Sequence, residues 1–172
     1  MDATVMDLCL SLFPWAKFRQ TKGAVKVHLL LGQDGYFPIF AHITDGHGGD
    51  SRVCKDLVAM STHLTEGSIL ALNRGYIDLA LIGLLISGGS YFVTRLKEGP
   101  NWLVRGERAV PSRGGIMREA LIEVQSSKAQ ATLGQHLLRL VEWQDPNTGE
   151  KYRFLTNHLE FGPTTIMRIY KD

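Results

Sequence analysis

The chain has 172 residues, of which 44% are hydrophobic and 21% charged, and a formal net charge of +2. That length suffices for a domain with a real core, the composition is that of an ordinary soluble globular protein, and the charge is too small to establish nucleic-acid binding. The longest apolar stretch, 77–86, contains Asp78 and falls short of the ~20 residues that a membrane span needs. Cys9 and Cys54 lie far apart without CxxC spacing. They argue against a disulfide framework or zinc site, and for buried free thiols in a reducing cytosol. Asp2 and Asp7 stand where a signal peptide would be basic, so a cytoplasmic protein without membrane attachment is expected. Lys17, Arg19, Lys22 and Lys26 cluster early, and Arg95, Lys97, Arg105, Arg108, Arg113 and Arg118 follow later. On charge alone these read as a solvated basic face; they would also suit a phosphate backbone.

In chain order, residues 1–5 read as the end of a strand, and Asp2, from the residues alone, as a mobile terminal acid. An apolar run, 8–15, closes at Phe13-Pro14-Trp15, where proline interrupts regular structure. Val25, Val27, Leu29 and Leu31 then recur at the period of a strand. A turn at Gly32–Gly35 predicts a hairpin, with 36–44 returning and Pro38 marking an edge or bulge. His42, His47 and Asp50 surround a glycine-rich loop, but their spacing matches no strong metal template, and a turn is the plainer reading. Val53, Leu57, Met60 and Leu64 form a helical stripe starting near Asp50 or Ser51.

The most informative stretch is Ser68–Tyr76. Ile69-Leu70-Ala71-Leu72 has strand length and ends in Asn73-Arg74-Gly75. A nearly all-apolar helix is expected over 77–87, stopped by Gly88-Gly89, and a strand over 90–96. Strand, helix and strand with short connections predict a right-handed βαβ unit with parallel strands. In such a sheet the carboxyl end of a strand is where polar residues meet a ligand. Residues 99–157 change character. Short strand-like runs at 102–104, 120–124, 137–143 and 151–155 predict a β-rich insertion, and 163–170 a final helix.

Several stretches together resemble the catalytic domain of bacterial insertion-sequence transposases of the DDE type, the subgroup with a β-strand insertion. They are Asp2–His28, Ala41–Gly46, Gly67–Tyr76, Tyr91–Lys97 and Phe154–Asp172. The resemblance runs over nearly the whole chain in the family's order. It implies an α/β, RNase H-like mixed sheet with flanking helices and a β-rich insertion. The divisions would be 1–98 for the first part of the core, 99–157 for the insertion and 158–172 for the start of the closing helix.

By position, Asp2 matches the first family aspartate, at the end of the first strand. Asn73 occupies the place of the second, in an Asp-Arg-Gly-Tyr stretch whose Arg74, Gly75 and Tyr76 are kept. Tyr170 matches the first residue of a helical Tyr-x-x-Arg-x-x-x-Glu motif, and the chain ends before its arginine and glutamate. The resemblance makes Lys22, Arg74, Tyr76, Arg95, Lys97 and Tyr170 DNA contacts, and Asp2 a ligand of Mg²⁺ or Mn²⁺. Trp102 or Trp143 would be the insertion aromatic that stacks on a displaced base in some relatives; a core tryptophan is the plainer reading.

The implied activity is cut-and-paste transposition. It proceeds by in-line phosphoryl transfer, with two divalent ions ~3.5–4 Å apart activating the attacking and leaving oxygens. Such hard ions need anionic oxygen ligands, and Asn73 offers one neutral carbonyl oxygen. The expectation is therefore an inactive remnant of a transposase. The alternative is a non-catalytic module that binds DNA at transposon ends, as a homodimer or paired with an intact transposase. A non-specific nuclease would need the same acids and is disfavoured by the same asparagine.

Overall fold

The structure is a computed structural model that describes residues 1–9, 11–19, 22–33, 35–47, 49–59, 64–96 and 101–171. The chain divides into two compact units, Met1–His63 and Leu64–Asp172.

The first unit contains β1 (Asp2–Leu8), β2 (Lys17–Arg19), β3 (Lys22–Leu31), β4 (Pro38–Asp45) and α1 (Asp50–Ala59). The alternating run around Val25–Leu31 makes β3 the strand on which this sheet is built. β1, β2 and β4 all pair with it antiparallel. The hairpin is as the sequence predicts, and the register slips between Leu30 and Leu31, beside Pro38, which cannot donate to a ladder. Two expectations differ. Residues 1–5 do not end a strand: Asp2 opens β1, opposite Leu29, and the strand continues to Leu8 because β3 offers a partner for each residue. Cys54 is buried on α1 with Val53 and Leu57, but Cys9 is exposed. Burial pushes the Cys54 thiol up to about 11, which makes it an inert thiol. Met60 of the predicted stripe lies outside the described residues.

The second unit contains β5 (Ile69–Leu72), α2 (Leu79–Ser87), β6 (Tyr91–Leu96), β7 (Trp102–Glu107), β8 (Ile116–Val124), α3 (Ser127–Leu133), β9 (Leu138–Gln144), β10 (Lys151–Thr156) and α4 (Pro163–Lys171). Its six-stranded sheet has the order β5-β6-β10-β9-β8-β7. β5 and β6 are parallel and joined through α2, as the βαβ reading requires, and the other pairs are antiparallel. A 3-10 turn at Arg74–Tyr76 follows β5, and Asp78 caps α2 by accepting from the Ala80 and Leu81 amides. The strands of 99–157 lie in the same sheet as β5 and β6. The mixed sheet with its helices is an α/β, RNase H-like fold.

Both faces of the sheet's centre are covered. Along β9, Arg139, Val141 and Trp143 point one way and Leu138 and Leu140 the other, and all are buried. On the first face, Val93, Ile116, Val141, Trp143 and Phe154 form a core with Ile166 of α4, and Ile169 and Tyr170 pack against it. Helix α2 lies on α3, and the close approach uses Gly83, where a Cβ would come within 3.0 Å of Thr132. Helix α3 has no counterpart in the sequence reading. Its signals are short: Ser126, whose hydroxyl accepts from the Ala129 amide, and Gly134 at the end.

Candidate nucleic-acid interface

Asn73 lies immediately past β5, and its preceding residue Leu72 is the register partner of Thr94 on β6. Asn73 and Arg95 therefore leave the β5–β6 pair at the same level. Asn73 and Arg74 are exposed, but Tyr76 is 1% exposed and belongs to the core. Asp2 is in the first unit, and its Oδ1 accepts from the Ala3 amide at 2.8 Å. Lys22 opens β3, and Lys97 lies outside the described residues.

Arg95 and Tyr170 come to the same face of β10. Arg95 is the cross-strand partner of Phe154, and the Phe154 and Tyr170 rings are 5.4 Å apart. The alternation of β10 places Tyr152 on that face as well, opposite Trp143 of β9 with 5.3 Å between ring centroids. Two cations rest on these rings. The Arg95 guanidinium is 4.3 Å from the Tyr152 centroid, and Lys171 Nζ is 4.5 Å from that of Trp143.

Each cation also meets a carboxylate from the β9–β10 turn. Arg95 Nη2 donates to Glu150 Oε1 at 3.0 Å, and Lys171 Nζ to Asp145 Oδ2 at 3.0 Å. Tyr152 Oη donates to the other Glu150 oxygen at 2.8 Å. The Tyr152 hydroxyl, and then Arg95, hold the Glu150 carboxyl below the usual carboxylate range; the same bond raises the Tyr152 phenol. The Asn147 amide and Lys171 hold Asp145 down likewise. Trp143 is fixed by its indole N–H, which donates to the Gly114 carbonyl at 2.7 Å.

A transposase DDE domain profile matches residues 1–172. The chain belongs to the DDE transposase family. A comparison with curated proteins returned no match. Transposase domains of this family use divalent metal ions and act on DNA. The residue at the end of β5 does not suit such an ion: Asn73 brings a neutral carbonyl where hard divalent ions take anionic oxygen. Among the described residues no three His, Cys, Asp or Glu side chains gather as a metal-holding group. No helix among them is long and apolar enough to cross a membrane.

Of the transposase residues expected from the sequence, Arg95 and Tyr170 meet on one face and Asn73 lies at the level of Arg95. Trp143, one of the two tryptophans considered, is 4% exposed in the core, yet carries Lys171 on its ring; Trp102 is on β7 at the sheet's far edge. Sequence reasoning missed Glu150, Tyr152, Asp145 and Lys171. The available signal was the alternation of Tyr152 and Phe154, which puts two aromatic rings on the face shared with Arg95.

Proposed function

We propose that this chain is a DDE transposase domain that engages DNA and whose strand-transfer chemistry is blocked at Asn73. The observation that carries this reading is Asn73 at the carboxyl end of β5, the position that the resemblance assigns to the family's second aspartate. A neutral amide leaves the charge of two divalent ions poorly balanced. The wild-type chain is expected not to nick a supercoiled plasmid carrying transposon ends in Mn²⁺. Nicking would overturn the block. Asn73→Asp is expected to tighten Mn²⁺ binding, read by electron paramagnetic resonance of free Mn²⁺; unchanged binding would show that residue 73 does not control the metal.

A second reading keeps the DNA contact and drops the catalytic history: a module that occupies transposon ends, or pairs with an intact transposase. The ring-supported Arg95 favours it, since a guanidinium held by an aromatic face is prepared for phosphate. Salt-dependent retardation of duplexes, stronger for a terminal inverted repeat, supports both readings. Absence of retardation at ~50 mM salt, where phosphate contacts are strongest, removes both.

A further inference from the structure

We propose that Arg95 and Tyr152 form a seat for one DNA phosphate, and that in the free protein the Glu150 carboxylate fills it as an internal stand-in. This rests on the DNA-engaging reading above and says where and how one contact is made. The two Glu150 oxygens each take one donor, Arg95 Nη2 at 3.0 Å and Tyr152 Oη at 2.8 Å. Two anionic oxygens accepting from a guanidinium and a hydroxyl is also what a phosphodiester presents through its non-bridging oxygens.

The seat does not depend on Glu150 for its shape. The guanidinium lies 4.3 Å from the Tyr152 centroid, and Tyr152 is set between Trp143 and Phe154 at 5.3 and 6.1 Å. The turn carrying Glu150 is closed by other bonds. The Asp145 amide donates to the Glu150 carbonyl, the Gly149 amide to the Asp145 carbonyl, and Gln144 Nε2 to the Gly149 carbonyl. The Glu150 side chain can therefore swing out while the turn stays intact. It is 52% exposed and Arg95 is 35% exposed, so water and salt weaken the pair and an incoming anion competes on favourable terms. The neighbouring Asp145 differs. Its side chain is 10% exposed and its Oδ1 also accepts the Asn147 amide, so it stays with Lys171.

The test is fluorescence anisotropy of a short labelled duplex at ~50 mM KCl, where phosphate contacts are strongest. Glu150→Gln removes the charge, keeps the shape, and should tighten binding roughly two- to fivefold. Arg95→Gln should weaken binding and cancel the gain in the double variant. Glu107→Gln makes the same charge change on β7, where Glu107 pairs with Arg118, and should give no comparable gain. Equal affinities for wild type and Glu150→Gln overturn the stand-in while leaving DNA engagement intact. A gain that persists without Arg95, or appears equally in Glu107→Gln, also overturns it, because net charge would then explain it. No binding by any variant removes the DNA reading and this inference together. Inorganic phosphate, exchanged for chloride at matched ionic strength, tests the ligand. Phosphate should compete for the seat and displace duplex more readily from Glu150→Gln than from the Glu150→Gln, Arg95→Gln double variant; equal displacement from the two would overturn the seat.

Discussion

Two carboxylate–cation clusters sit at opposite ends of the β9–β10 hairpin, and they are built from the same chemistry to different ends. At one end Glu119 and Arg139 pair at 2.9 Å with side chains 3% and 1% exposed, and Arg108 joins Glu119 at 3.1 Å. The arginines then grip the chain before α4. Arg139 Nη1 donates to the carbonyls of His158 and Phe161, and Arg108 Nη1 to that of Leu159. His158 Nδ1 accepts from the Glu160 and Phe161 amides. At the other end, Glu150 and Arg95 meet in partial contact with water. Burial separates the roles. A buried pair is costly to open and so fixes geometry, whereas an exposed one exchanges partners at little cost. The buried cluster anchors the start of α4, and the exposed one offers its cation at the end where Lys171 lies.

The strongest way to break this contrast is Arg139→Met. It leaves the buried Glu119 carboxylate with only the half-exposed Arg108 and takes the donor from the His158 and Phe161 carbonyls, and loss of about 3–5 kcal/mol is expected in urea unfolding. A loss under ~1 kcal/mol, the range of exposed pairs, would erase the distinction. Next is Gly115→Ala, at the exposed end. Gly115 has φ +79°, and a Cβ there would overlap the Gln144 carbonyl oxygen, which cannot move without disturbing the β8–β9 pair. A cost of about 1–3 kcal/mol is expected from the strained backbone, with altered Trp143 fluorescence because Gly114 accepts the indole N–H.

A smaller effect should appear with pH. Burial lowers the His158 imidazole below its ordinary value, with Glu160 opposing this and Arg139 assisting it. The unfolded chain then binds the proton more readily, so stability is full above the unfolded value of roughly 6.5 and falls as pH drops below it towards the folded value. Protonation would also place a donor at Nδ1 against two amides. Thermal midpoints should decline below that pH, and by less in His158→Gln; His28, lowered chiefly by burial, supplies the remainder. The smallest effect belongs to Glu150→Gln, for which no measurable change in the unfolding midpoint is expected. A large destabilisation would make the exposed cluster structural and defeat the contrast from the other side.

Much of the frame was legible in the residues. The alternation of β3, the turn before β4 and the run Ile69–Leu72 ending at Asn73 are local patterns, and backbone geometry ties each to an element within a few residues. The βαβ unit followed from its short connections. Asn73 could be placed at a strand end because the apolar run stops there.

What only the tertiary structure decided is the partner of each charge. Arg95 and Glu150 are 55 positions apart, and Arg139 and Glu119 are 20 apart, and they meet because strand register brings them together. Nothing local separates buried Arg139 from exposed Arg95. One faces the core beside Glu119 and the other a water-accessible ring, and that difference arises only when β6, β10, β9 and β8 are laid side by side. The sequence by itself determined the family, the elements with a clear period or turn, and the neutral residue at the end of β5. The folded sheet decided which ion pairs are fixed and which are free to exchange, because desolvation depends on what covers a side chain and not on its neighbours along the chain.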